Sequence, residues 1–128
     1  MEWNAFKSCC PSRAVLQHIA DKWTVLIICA LTGRTLRFGE LRREVDGISQ
    51  KMLTQVLRGL KRDGLVRRTV YATVPPKVEY SLTSLGLSLV EILEPFHSWL
   101  SANMDQVLAA RAAFDERGAS LSAEEQQL

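Results

Sequence analysis

Histidine and cysteine are scarce in this chain, two and three copies respectively in 128 residues. An odd cysteine count, with Cys9 and Cys10 adjacent and Cys29 apart, does not make a disulfide framework. Nor do these cysteines, with His18 and His97 far apart, match any standard zinc-ligand spacing, so neither a metal nor another cofactor is expected. Paired carboxylates in context, a nucleophile elbow and a phosphate-cradling glycine loop are also missing, which argues against an enzyme. The longest apolar run, Val25–Leu31, is too short to span a bilayer, and no membrane partner is expected. The first residues, MEWNAFKSCCPSR, lack a basic start followed by an apolar run, so a cytoplasmic chain is the expectation.

What is present is a globular composition, 47% hydrophobic, at a length that suits one domain with its own core. The net charge of +2 conceals an asymmetry. Residues 34–77 hold eleven Arg and Lys against four acids, whereas residues 96–128 hold two bases and five acids. A basic middle with an acidic flank fits a polyanionic partner, and fits equally a solvated basic surface.

Hydrophobic spacing divides the chain. Pro11 suits the first turn of a helix in which Val15, Leu16 and Ile19 recur at helical spacing. The pattern breaks at Asp21 or Lys22, and WTVLIICALT makes a second, nearly all-apolar helix that stops at Gly33. Phe38, Leu41 and Val45 mark a third helix. After the turn DGIS, Ser49 is placed to cap a fourth. On a helical wheel Met52, Leu53, Val56, Leu57 and Leu60 share one arc of that fourth helix. Gln50, Lys51, Thr54, Gln55, Arg58, Lys61 and Arg62 occupy the other, with Gly59 at the border allowing a close approach. LVRRTVYATV and KVEYSLT then read as a hairpin around Pro75-Pro76, whose tip projects because proline cannot join a ladder. Thr83 caps a long final helical region in which Pro95 should kink the helix or divide it in two. Leu85, Leu89, Ile92, Phe96, Trp99 and Leu100 extend past what one small core needs. Residues 1–117 are expected to form one domain and residues 118–128 a disordered, polar tail.

Three helices, a tight turn, a basic amphipathic helix and a hairpin follow the order of a winged helix-turn-helix, in which the motif's second helix enters the DNA major groove. The expected fold is thus α+β, mainly α, with a two-stranded wing and extra terminal helices for dimerisation. Gln50, Lys51, Thr54, Gln55 and Arg58 carry side chains suited to base edges or phosphates. The pieces CP (Cys10-Pro11), KWT (Lys22–Thr24), RFGELRR (Arg37–Arg43), ISQKMLTQVLRGL (Ile48–Leu60), DGLVRR (Asp63–Arg68) and VPPKVEYSLT (Val74–Thr83) together resemble the HxlR-type family of bacterial transcriptional regulators. The resemblance covers about residues 9–100. It implies a homodimer on a palindromic operator in double-stranded DNA, with terminal helices in the dimer contact; a repressor is the expected role, though the sequence leaves repression and activation open. DNA contacts are then expected from Ser49, Gln50, Lys51, Thr54, Gln55, Arg58, Arg67, Arg68, Pro76 and Lys77. Arg67 or Arg68 can instead pair with Asp63 or Glu79. Trp3, Phe6, Leu89, Ile92, Phe96, Trp99 and Leu100 are the expected dimer contacts.

Some relatives of that family sense oxidants or electrophiles through a cysteine just before the first helix, the position of Cys10. A thiol there meets the positive end of the helix dipole, with Lys7 and Arg13 near in sequence; a small side chain without a role is the competing reading. Cys9 is placed to resolve an oxidised Cys10 or to cross-link a partner chain, while Cys29 reads as core. His18 and His97 read as ordinary packed histidines. Trp3, Phe6, Trp23 and Trp99 read as core packing rather than as a pocket for a small aromatic effector. Two further readings stay open: the same DNA binding switched by such a ligand, and a winged-helix module that docks protein.

Overall fold

The computed structural model of the chain describes residues 2–120. The order is α1 (Pro11–Ile19), α2 (Lys22–Ala30), α3 (Phe38–Glu44), α4 (Gln50–Arg62), β1 (Val66–Tyr71), β2 (Lys77–Leu82) and α5 (Ser84–Ser120). This is the expected mainly helical α+β arrangement, with one antiparallel hairpin as the wing. The chain divides into two compact units, Met1–Leu93 and Glu94–Leu128.

Local chemistry sets the boundaries within the first unit. Pro11 opens α1, and Asp21 opens α2 by accepting from the backbone N–H of Trp23 at 2.9 Å. Gly33, Gly47 and Gly64 each take a positive φ where a helix gives way to the next element, a region other side chains rarely enter. Ser49 caps α4 by accepting from Met52 N–H at 3.0 Å. Thr83 Oγ1 donates to the Gly64 carbonyl and accepts from Gly86 N–H, tying the start of α5 to the start of the wing. A side chain at Gly86 would collide with the Leu65 carbonyl oxygen, so glycine is what lets α5 lie this close.

The core of this unit joins α2 (Ile27, Ile28), α3 (Leu41), α4 (Leu53, Val56, Leu57, Leu60) and the wing's inner end (Val66, Leu82), with Val90 and Leu93 of α5. Non-directional burial of this apolar set is the main force seating α4. Leu36 adds a short third strand segment, exchanging two backbone hydrogen bonds with Tyr80 at 2.8 and 3.0 Å. The spacing of the sequence did not reveal this bridge, which binds the α2–α3 connection to the wing.

Three expectations need correction. Met52 is more than a third exposed because it lies at the margin of the apolar arc, beside Gln55 and Val56 on an open groove with Thr24. α5 runs through Pro95, so of the two outcomes expected there the helix is not divided. The same helix, sustained by its alanines, runs through Ser120, three residues into the segment expected to be a disordered tail; residues 121–128 lie outside the described residues. Of the four aromatics assigned to core packing, only Trp23 packs against the core, whereas Trp3, Phe6 and Trp99 are exposed. No helix among the described residues is long and apolar enough to cross a membrane.

Candidate nucleic-acid interface

The buried arc of α4 decides what the opposite arc must do. With Leu53, Val56, Leu57 and Leu60 fixed in the core, Gln50, Lys51, Thr54, Gln55, Arg58, Lys61 and Arg62 all stand exposed. The seven residues separated by the wheel therefore do form one solvent-facing surface. Thr54 Oγ1 donates to the Gln50 carbonyl at 2.9 Å, which commits its hydroxyl hydrogen to its own helix and leaves its lone pairs and methyl group for a partner. Arg42 of α3 reaches the Ile48 carbonyl at 3.4 Å and supports the turn that delivers Ser49 and Gln50.

The pleat of the wing sorts its two arginines onto different faces. Arg68 pairs in register with Tyr80, and Arg67 with Ser81. Successive strand residues point to opposite sides. Arg68 therefore shares a face with Tyr80 and borders a groove with Thr54, Leu57, Arg58 and Lys61 of α4. Arg67 lies on the other face. Neither takes the pairing anticipated for it: Asp63 is held by His18 at 2.9 Å, and Glu79 by Lys77 at 2.8 Å. Lys77 also stands over the Tyr71 ring, 5.3 Å from its centroid. Its charge is thus partly satisfied within the wing, while Arg58, Lys61 and Arg68 converge on the groove without an ion-pair partner among the described residues. Lys61 had been placed on the polar face but not among the contact residues; the register of the wing is what brings it to Arg68. Pro76 is exposed at the wing tip, where Thr73 Oγ1 donates to the Pro75 carbonyl.

A surface of this composition can accept phosphates along the groove and present amide and guanidinium groups to base edges. Fold and surface together define a winged helix-turn-helix transcriptional regulator.

The comparisons narrow that class. The chain belongs to the family described as HxlR-like helix-turn-helix, whose model matches residues 18–108. It is 48% identical over 118 residues to the HTH-type transcriptional regulator YtfH of Escherichia coli, covering 92% of this chain and 91% of that one. Among solved structures, the transcriptional regulator ytfH from Salmonella typhimurium is 47% identical and superposes with a TM-score of 0.82, covering 87% of this chain and 99% of that one. The redox regulator HypR in its reduced form is 40% identical, with a TM-score of 0.71 over 77% of this chain and 98% of that one.

At the N-terminal end, Cys10 is the N-cap of α1 and is partly exposed, while Cys9 is exposed. Cys10 Sγ lies 3.0 Å from Ser12 Oγ and accepts from Asn4 N–H at 3.2 Å. These contacts, the Ser12 hydroxyl foremost, lower the thiol's pKa below its ordinary value because they stabilise the anion. Arg13 donates from Nε to the Ala5 carbonyl at 2.9 Å and from Nη2 to that of Phe6 at 2.8 Å. It fastens the N-terminal segment while keeping its charge. Cys29 is half-buried against the core, as its apolar surroundings implied. One of the two histidines departs from expectation. His18 is paired with Asp63, and His97 is exposed on α5.

Proposed function

We propose that this regulator binds a palindromic operator as a homodimer and represses transcription, and that oxidation or alkylation at Cys10 relieves the repression. Gln50, Lys51, Thr54, Gln55 and Arg58 read the major groove. Ser49, Arg68, Lys77 and Pro76 meet the backbone or minor groove, with Arg67 the weakest candidate. The observation that carries the DNA reading is the convergence of Arg58, Lys61 and Arg68 on one groove beside the exposed face of α4.

Dimerisation is supported by apolar surface left open on each unit. In the first, Trp3 and Phe6 are 64% and 90% exposed, and Ile92 is exposed while Leu89 rests partly on the core. In the second, Phe96, Trp99 and Leu100 are exposed. Large aromatics in such numbers mark an interaction surface. A two-fold dimer would set its recognition helices about 34 Å apart, one turn of DNA. The thiol switch is supported by the lowered Cys10 pKa and by similarity to a redox regulator. Cys9, next in sequence and exposed, is the candidate resolving thiol.

Mobility shift on the duplex upstream of the protein's own coding sequence, with diamide and then with reductant, tests the proposal. Wild type should shift the duplex, lose it with diamide and regain it with reductant, while Cys10→Ser should keep it throughout. If Cys10→Ser responds as wild type does, or neither responds, the thiol switch is wrong and a non-covalent effector takes its place.

A further inference from the structure

The last turn of the recognition helix is gripped by a residue of another helix, one that also borders the groove beside Gln55. His18 of α1 places Nδ1 2.9 Å from Oδ2 of Asp63, the C-cap of α4. The same imidazole lies against Gly59, one turn earlier: a Cβ at position 59 would stand 2.7 Å from both Cε1 and Nε2 of the ring. One side chain therefore holds α4 at two points. Both partners are partly buried, with side-chain exposures of 29% and 28%, so their hydrogen bond is somewhat less screened than one in open water. Glycine is a poor helix former, and its presence inside α4 is accounted for by the room the ring needs.

α1 itself has no fully buried residue, and Cys10 stands at its N-cap position without a side-chain capping bond. The helix that follows the candidate thiol thus meets the core only through partly buried residues such as Ile19, and meets the recognition helix through His18. We propose that His18 is a positioning residue: it fixes the last turn of α4 to α1, so that sequence discrimination depends on how α1 is seated. The proposal rests on reading α4 as the DNA-reading helix. It also supplies a route by which a change at Cys10 reaches the bases, since α1 is nine residues long and its far end holds α4.

The test uses the full chain as wild type, His18→Ala and His18→Asn, whose side-chain amide can stand where Nδ1 stands. Two quantities are read. One is hydrogen-exchange protection of residues 59–64 without DNA. The other is the ratio of affinities for the tightest duplex selected from a randomised pool and for its scrambled counterpart. His18→Ala should lose protection in that turn and about tenfold or more in the ratio, the fold-change for losing a hydrogen bond to a charged group. Its affinity for the scrambled duplex should hold, because phosphate contacts survive a small rotation of the helix; a misfolded protein would lose both. His18→Asn should recover most of the ratio. A His18→Ala protein with wild-type protection and ratio overturns the clasp alone, as does a His18→Asn protein no better than His18→Ala. If the wild type itself does not discriminate between the duplexes, the reading of α4 fails and the proposal falls with it.

Discussion

Replacing Arg68 with alanine should remove one phosphate contact from the complex, whereas the same change at Arg67 should remove none. The difference follows from the register of the wing. Arg68 stands opposite Tyr80 on the face that borders α4, and Arg67 stands opposite Ser81 on the other. Both side chains are exposed and neither has an ion-pair partner among the described residues, so either change should leave stability within about 0.5 kcal/mol of wild type. The consequence for DNA is larger. Each phosphate contact adds about 0.9 to the negative slope of log affinity against log salt. Between roughly 50 and 200 mM salt, one contact therefore accounts for about a 3.5-fold loss of affinity. Anisotropy titrations of one labelled duplex at several salt concentrations measure the slope directly. Arg68→Ala should flatten it by about 0.9, and Arg67→Ala should run parallel to wild type. Equal flattening by the two variants, or none by Arg68→Ala, would refute the sorting of the arginines by the pleat.

Other consequences are read with different assays. Ser49→Ala deprives Met52 N–H of its acceptor and should cost about 1 kcal/mol, a fall in Tm of roughly 3–4 °C by calorimetry. Glu79→Gln releases Lys77 from its 2.8 Å ion pair, so binding to every duplex should strengthen and the salt slope steepen by up to about 0.9; an unchanged slope would show that the wing lysine does not reach phosphate. Because its neighbours stabilise the anion, Cys10 should be alkylated by iodoacetamide at a lower pH than an ordinary thiol. Ser12→Ala, which removes the first of these contacts, should move that profile to higher pH. A profile that stays in place with Ser12→Ala would assign the reactivity to another cause.

Much of this protein is legible in its sequence because its elements obey single periods. The fourth helix separates its two faces at 3.6 residues per turn, and the structure exposes all seven polar members of that face. The hairpin is equally plain from its β-branched run and its prolines. What escaped has a common physical cause: it depends on pairings between distant parts of the chain, which periodicity does not encode. Leu36 meets Tyr80, and His18 meets Asp63. The alternation of Arg67 and Arg68 was visible in the strand, but which of them faces α4 required the register. Gly59 is an intermediate case. Its permissive role at the border of the helix could be read early; the imidazole that uses the space could not.

The central claim is that α4 reads base sequence while the groove beside it holds the backbone. The most direct measurement is an affinity comparison between the tightest selected duplex and its scrambled counterpart, for wild type and for Gln55→Ala/Arg58→Ala. Wild type should prefer the selected duplex by about 10³-fold or more. The double variant should lose most of that preference while binding the scrambled duplex nearly as before, apart from any phosphate contact made by Arg58. A double variant that keeps the wild-type preference, or a wild type that binds both duplexes alike, would contradict the account.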